Sequence, residues 1–302
     1  MHIDVSSPTV RDNTFQDNTA SANAGALYIF EGAPTITGNT FERNSSAWGG
    51  GLFVNNSAAT ISHNVIRDNS AIGGGGLEVY WQSTCTITDN LIENNTASET
   101  DPDGGGGGFE ISSSASPVLS GNTIRSNSGG KGAGIKIAGP PEAGSYGAPA
   151  IHGNTLCGNQ GYQFYHEPTT SLDLSGNWWG TNSPGSAEIY GPANYDPWIT
   201  MSAYAIPARV TAPGTVTVRA VLHGDGYPAP DGTAIAWRTT LGTLHTSASS
   251  TAGGVAQTVL SSASAGQAVV TATDPCGFSV ETTVWFLGPV RVYVPLLLSV
   301  TR

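Results

Sequence analysis

Between residues 34 and 80 the chain writes one pattern of apolar and polar positions twice. It reads PTITGNTFERNSSAWGGGLFVNNS and then ATISHNVIRDNSAIGGGGLEVY. In each copy an apolar residue (Ile36, Ile61) precedes an asparagine (Asn39, Asn64). Two residues later comes a second apolar residue (Phe41, Ile66), and then a second asparagine (Asn44, Asn69). A glycine run and a short apolar stretch, 52–54 or 77–79, close the unit. The first asparagine recurs at Asn13, Asn39, Asn64, Asn90, Asn122, Asn154 and Asn177. The second follows five residues later, at Asn18, Asn44, Asn69, Asn95, Asn127 and Asn159. Within a unit the apolar positions alternate in twos, which is strand spacing, and Gly and Asn between them predict bends. A period of about 25 residues is too short for two packed helices. It fits three short strands and three bends, one coil of a parallel β-helix. Equivalent asparagines then stack about 4.8 Å apart, so their side-chain amides can bond from coil to coil. The glycine runs are expected to supply left-handed backbone at the corners.

On these residues the chain resembles the right-handed parallel β-helix family, the pectin-lyase-like superfold, in its Asn- and Gly-rich form. The resemblance covers roughly residues 5–200 and implies an all-β solenoid of about six to seven rungs. It implies no single activity, because that fold hosts lyases, hydrolases, adhesins and capsule-binding tailspikes. Two insertions interrupt the repeat, at 98–103 and at 139–149, and insertions in a solenoid map to loops over one face. The repeat ends at Asn177-Trp178-Trp179-Gly180, followed by Pro197-Trp198. This resembles the ending of surface proteins with such repeats, where the tryptophans are expected to plug the open core.

From residue 203 to 287 the glycine runs stop and longer alternating strands appear, at 216–222, 234–238, 269–273 and 280–286. Turn signals separate them at sandwich spacing. The stretches Pro230-Asp-Gly-Thr-Ala-Ile-Ala-Trp, Leu241-Gly-Thr-Leu, Gly254-Val-Ala and Ala265-Gly-Gln-Ala-Val-Val-Thr-Ala-Thr resemble the bacterial immunoglobulin-like domain of the invasin/intimin class, which usually serves as a spacer or stalk. The expected organisation is therefore a β-helix over 1–200, an immunoglobulin-like β-sandwich over 203–288 and a tail over 289–302. The tail is similar to short C-terminal tails of some bacterial surface proteins. Together these resemblances imply a secreted or cell-surface bacterial protein.

Charge narrows the partners. The net charge is −11, and residues 1–200 hold 18 acidic against 6 basic side chains. An acidic solenoid argues against nucleic acid and against polyanionic substrates; a neutral glycan, a surface protein or a cation remain open. Three cysteines, Cys85, Cys157 and Cys276, are odd in number and widely spaced, which implies neither a disulfide framework nor a zinc site. The apolar run at 294–300 is far too short to span a bilayer, so no transmembrane segment is expected. No signal peptide is visible ahead of the first rung, and the uncapped first rung leads us to expect further sequence upstream.

Two outward columns bear on function. Positions after the first asparagine carry Gln16, Glu42, Arg67, Glu93 and Arg125, with Asp17, Arg43, Asp68 and Asn94 beside them. Their alternating signs predict a surface charge ladder rather than a lyase base. The middle position of the strand after the glycine run reads Tyr28, Phe53, Glu78, Glu110 and Lys136, with Tyr80 and Trp81 alongside. Alternation sends these side chains to the outer face. Glu78 and Glu110 on adjacent rungs, about 5 Å apart, have the spacing of a retaining glycosidase, with Lys136 as a third catalytic candidate. Tyr28, Phe53, Tyr80 and Trp81 are the glycan-stacking candidates. The plainer expectation is a solvated face with Lys136 pairing Glu110. The leading reading is a non-catalytic adhesion or glycan-binding module. A polysaccharide lyase or glycoside hydrolase comes second, and a purely structural surface-layer component third. No cofactor is expected beyond calcium, for which Glu99, Asp101 and Asp103 offer oxygen ligands without the full pattern of a calcium loop. The six histidines show no metal spacing.

Overall fold

The computed structural model describes residues 1–98, 105–138, 147–167, 170–229 and 231–289. The acidic loop with Glu99, Asp101 and Asp103, most of the second insertion and the tail from residue 290 lie outside the described residues.

The repeat folds into three parallel sheets that share one core. The longest has eight strands: His2–Asp4, Leu27–Phe30, Leu52–Asn55, Leu77–Tyr80, Phe109–Ile111, Ile135–Ile137, Phe164–His166 and Ile189–Tyr190. A second, six-stranded sheet runs from Thr9–Arg11 to Ala150–Ile151, and a third from Thr14–Gln16 to Thr155–Cys157. Register is unbroken, with Leu52 opposite Leu77, Ile61 opposite Ile87 and Ile66 opposite Ile92. The inward positions of all three sheets, such as Leu27, Ile36, Phe41 and Phe109, are fully buried. They stack like on like, which a strand of three residues with one inward side chain can do only in register.

Two asparagine ladders run the length of this core. The side-chain amide of each asparagine donates to the Oδ1 of the next, at 3.1 Å for Asn39 to Asn64, 3.0 Å for Asn64 to Asn90 and 2.9 Å for Asn90 to Asn122. The second ladder repeats this through Asn44, Asn69, Asn95, Asn127 and Asn159. Each amide also donates to a main-chain carbonyl of the preceding rung, as Asn64 does to Ile36, and each Oδ1 also accepts a main-chain N–H. Every hydrogen-bonding group is thus used, as burial demands. The second ladder ends where Gln163 Oε1 accepts from Asn159. The residue before each ladder asparagine holds left-handed backbone, and it is often not glycine: Asp17, Arg43, Asp68 and Asn94 have φ of 53–58°. The glycine runs supply left-handed backbone as expected, at Gly49, Gly74, Gly106 and Gly132, and the ladder holds other residues in that conformation against a cost of about 1–2 kcal/mol each.

The glycine runs serve a further purpose. Trp48, Gly73 and Gly105 pair rung to rung as a strap that lies on the outer face of the long sheet. A side chain on Gly74 (φ 61°) would press on Glu78 Cβ at 2.8 Å, and one on Gly106 on Glu110 Cβ at 2.8 Å. The strap lies that close only because it is glycine.

Residues 200–287 form two five-stranded, mainly antiparallel sheets over a second core. That core takes in Trp178, which is fully buried and packs edge-on to Phe278, while Trp179 closes the solenoid core. The expected tryptophan plug is therefore split between the two units. Trp178 Nε1 donates to Asp274 Oδ2 at 2.8 Å. Burial raises the Asp274 carboxyl above its ordinary range, with the indole donation opposing. The expectation of no disulfide is overturned: Cys157, at the end of the third sheet, bonds Cys276, 119 residues away. The spacing hid the pair because each cysteine belongs to a different unit. Cys85 stays free and buried, its thiol pushed up to about 12 by burial.

Phe41→Ala should cost about 3–5 kcal/mol. Asn90→Ala, which strands two buried donors, should cost at least about 2 kcal/mol. Arg67→Ala should cost under about 1 kcal/mol, because the 2.8 Å pair of Arg67 with Glu42 is solvent-exposed on the arginine side. Calorimetric melts of the three variants check this order. Limited proteolysis between residues 201 and 208 should leave the two units joined on a non-reducing gel and separate them after reduction. Fragments that part without reductant would contradict the disulfide.

Candidate functional site

The outward column of the long sheet is continuous. In register it reads His2, Tyr28, Phe53, Glu78, Glu110, Lys136, Tyr165 and Tyr190. Its two ends are aromatic and its middle is charged. The spacing brings Glu78, Glu110 and Lys136 together as expected, and Lys136 Nζ lies 3.1 Å from Glu110 Oε1.

Their environment departs from expectation. Far from forming a solvated face, Glu78, Glu110 and Lys136 are only 2–3% exposed, because the strap of Trp48, Gly73 and Gly105 covers them. Glu78 Oε1 accepts from the Ser112 hydroxyl at 3.0 Å, while Glu78 Oε2 and Glu110 Oε2 are buried without hydrogen-bond partners. Two carboxyl groups share one ammonium in a dry site, so one of them stays protonated. Burial, reinforced by the charge of Glu110, drives the Glu78 carboxyl well above the usual carboxylate range. Burial also pushes Glu110 up to about 7, with Lys136 pulling the other way. This burial bears on the three catalytic candidates: a glycosidase acid must meet a sugar, and here the strap covers all three side chains.

The glycan candidates separate by exposure. Phe53 is buried at 4% exposure, stacked under Tyr28 with ring centroids 5.6 Å apart, so it offers no free face for a sugar. Tyr28 is half-buried and accepts a hydrogen bond from Asn55. Tyr80 lies 5.7 Å from Phe53 and 6.3 Å from Trp81. Trp81 is 52% exposed and holds left-handed backbone at φ 44°, followed by Gln82 at 53°. Ser113 and Ser114 repeat this pair of left-handed residues one rung on, with φ of 51° and 64°, so the corner belongs to the coil and sets the indole on its outside.

The charge ladder is present as surface pairs. Arg43 meets Asp17 at 2.8 Å and also contacts Glu42, and Arg125 meets Glu93 at 2.6 Å. Among the described residues, no three or more His, Cys, Asp or Glu side chains form a metal site.

The column continues past Lys136 to a far end that the glycine-run pattern does not mark. Tyr165 and Tyr190 stack with ring centroids 4.5 Å apart and planes within 6°, and Tyr162 leans on both. The signal was present in Gly161-Tyr162-Gln163-Phe164-Tyr165, where the long-sheet pattern continues without its glycine run.

A sequence profile described as the right handed beta helix region matches residues 1–99 and 49–196. No curated protein matches the chain. Among solved structures, the chain is similar to the C-terminal 282-residue fragment of intimin in complex with the intimin-binding domain of the translocated intimin receptor. Identity there is 26%, over 29% of this chain and 32% of that one, with a TM-score of 0.27. It is also similar to the D0-D1 domain of intimin, at 25% identity over 29% of this chain and 47% of that one, with a TM-score of 0.25. The chain thus spans less than half the length of either intimin structure.

The buried carboxyls tie stability to pH. A group whose folded pKa is raised holds its proton in the folded state while the unfolded chain sheds it, so stability is lost as pH rises through the folded value. The melting temperature should fall from pH 5 toward pH 8, through the value of about 7 for Glu110, with the raised Glu78 carboxyl adding to the fall. Glu78→Gln should flatten that fall. A profile that stays level in the wild type, or is equally steep in the variant, would contradict the shared-proton site.

Proposed function

We propose a function from the premise that this chain belongs to the right-handed β-helix family: it is a secreted or cell-surface bacterial module that binds a neutral glycan without catalysis. The observation that carries this reading is Trp81, an exposed indole at the end of the relay Tyr28, Phe53, Tyr80. Aromatic faces stack on sugar rings without needing charge, and an acidic surface disfavours polyanions. The burial of Glu78, Glu110 and Lys136 supports binding over lyase or hydrolase chemistry. The Cys157–Cys276 disulfide supports an oxidising, extracytoplasmic location. The C-terminal pair of sheets fits the role of an immunoglobulin-like spacer.

Affinity electrophoresis through gels containing xylan, galactomannan or mixed-linkage β-glucan tests this. Trp81→Ala should weaken retardation about threefold to tenfold, the worth of one aromatic contact, while leaving the melting temperature in place because the ring is exposed. No new reducing ends or unsaturated products should accumulate. Turnover that vanishes in Glu78→Gln or Glu110→Gln would return the protein to the enzymes.

A further inference from the structure

We infer that Tyr162, Tyr165 and Tyr190 form a second stacking platform for a neutral polysaccharide, at the terminal strand of the long sheet and four strands along it from the strand that leads into Trp81. This rests on the glycan-binding reading above and extends it to a second, separate subsite.

The first argument is positional. Tyr162 stands where earlier units have Gly50, Gly75, Gly107 and Ala133. The fold keeps that position small: a side chain on Gly107 would come within 2.7 Å of the Ala133 carbonyl of the next rung. A tyrosine fits here because the glycine strap of the following rung is missing. The chain uses this opening for a large aromatic side chain rather than for another glycine or a charged residue.

The second argument is exposure. Ile189–Tyr190 is the terminal strand of the long sheet and pairs on one side only, with Phe164–His166. One face of the Tyr190 ring is stacked on Tyr165, and the residue is still 46% exposed. Tyr162 lies 5.4 Å from Tyr190 and 5.9 Å from Tyr165, tilted 48° to each. Three rings from a corner and two strands therefore make one apolar surface with phenol groups available to donate and accept hydrogen bonds. Further inside the column the strap covers the outward side chains; its last glycine, Gly132, still approaches Tyr165 Cβ, and Tyr190 beyond it reaches solvent.

Charge selects the occupant. Lys131 meets Glu167 at 3.2 Å beside Tyr165, so the flank of the platform carries a balanced pair within an acidic solenoid. A neutral polymer of sugar rings suits this surface, whereas a polyanion is repelled. The strand of Tyr190 lies four strands from that of Tyr80, or about 19 Å, so one extended polymer several rings long can touch both aromatic sites. Two linked contacts then bind more tightly than either alone.

The experiment uses the full 302-residue chain with soluble xylan, galactomannan and mixed-linkage β-glucan as probes and polygalacturonate as the charged control. Tyr190→Ala should weaken binding of the retarding neutral polymer about threefold to tenfold. Tyr190→Phe, which keeps the ring, should stay within about twofold of wild type. Combining Tyr190→Ala with Trp81→Ala should exceed either single loss. Melting curves of each variant confirm that the fold is intact. If Trp81→Ala weakens binding while Tyr190→Ala and Tyr162→Ala do not, the platform is overturned and the glycan reading stands. If no neutral polymer is retarded by the wild type, both readings fall. Equal or tighter binding of polygalacturonate overturns the neutral occupant.

Discussion

The saturated asparagine amide is the constraint on which this structure depends. It has two donors and one acceptor, and when buried it must use all three. A neighbouring asparagine one strand spacing away, together with main-chain groups of the same two rungs, meets that demand only in a parallel, in-register stack. Strand length, corner geometry and the like-on-like core follow from this. The ladder tolerates large changes in what lies between its members. The chain separation between partners is 25 for Asn39 and Asn64, 32 for Asn90 and Asn122 and 23 for Asn154 and Asn177, yet the bonds stay at 2.9–3.1 Å. An insertion therefore leaves the core unchanged and alters only the surface.

Much of this was legible in the sequence because a ladder forces a periodic signature. The two asparagine series, the inward apolar positions, the adjacency of Glu110 and Lys136 and the change of architecture near residue 200 all follow from spacing. Burial of the charged middle of the column did not. Alternation places Glu78 on the outer face of its strand, but nothing in a row of glycines says over which face the row will fold. That depends on a close approach which only the absence of Cβ atoms permits, and on Trp48 of a neighbouring rung. The cysteine pair was illegible for a different reason. Solenoid contacts are local from rung to rung, whereas Cys157 and Cys276 meet through the docking of one unit on the other.

The column also shows how one position can take opposite roles along a repeat. Where the strap is present the side chains are sealed, and the sheet tolerates two acids against one base because one acid keeps its proton. Such a site adds little stability and can penalise any other register, since a one-residue slip would bury the acids without the lysine. Where the strap ends, the same position holds rings whose faces reach water. Exposure along this face is set by the third corner of each coil rather than by the strand that carries the side chain.

The bond between Cys157 and Cys276 also determines how the molecule would carry mechanical load. Tension applied beyond residue 276 passes through the sulfur bridge directly into the last strand of the third sheet. The segment between the two cysteines, which lie 119 residues apart in sequence, includes the connection around residues 199–213 and most of the C-terminal sheets and lies in a closed loop outside that path. A pull from the C-terminal side therefore loads the strand Ser279–Leu287 first and then enters the solenoid through the bridge, leaving residues 158–275 out of the path.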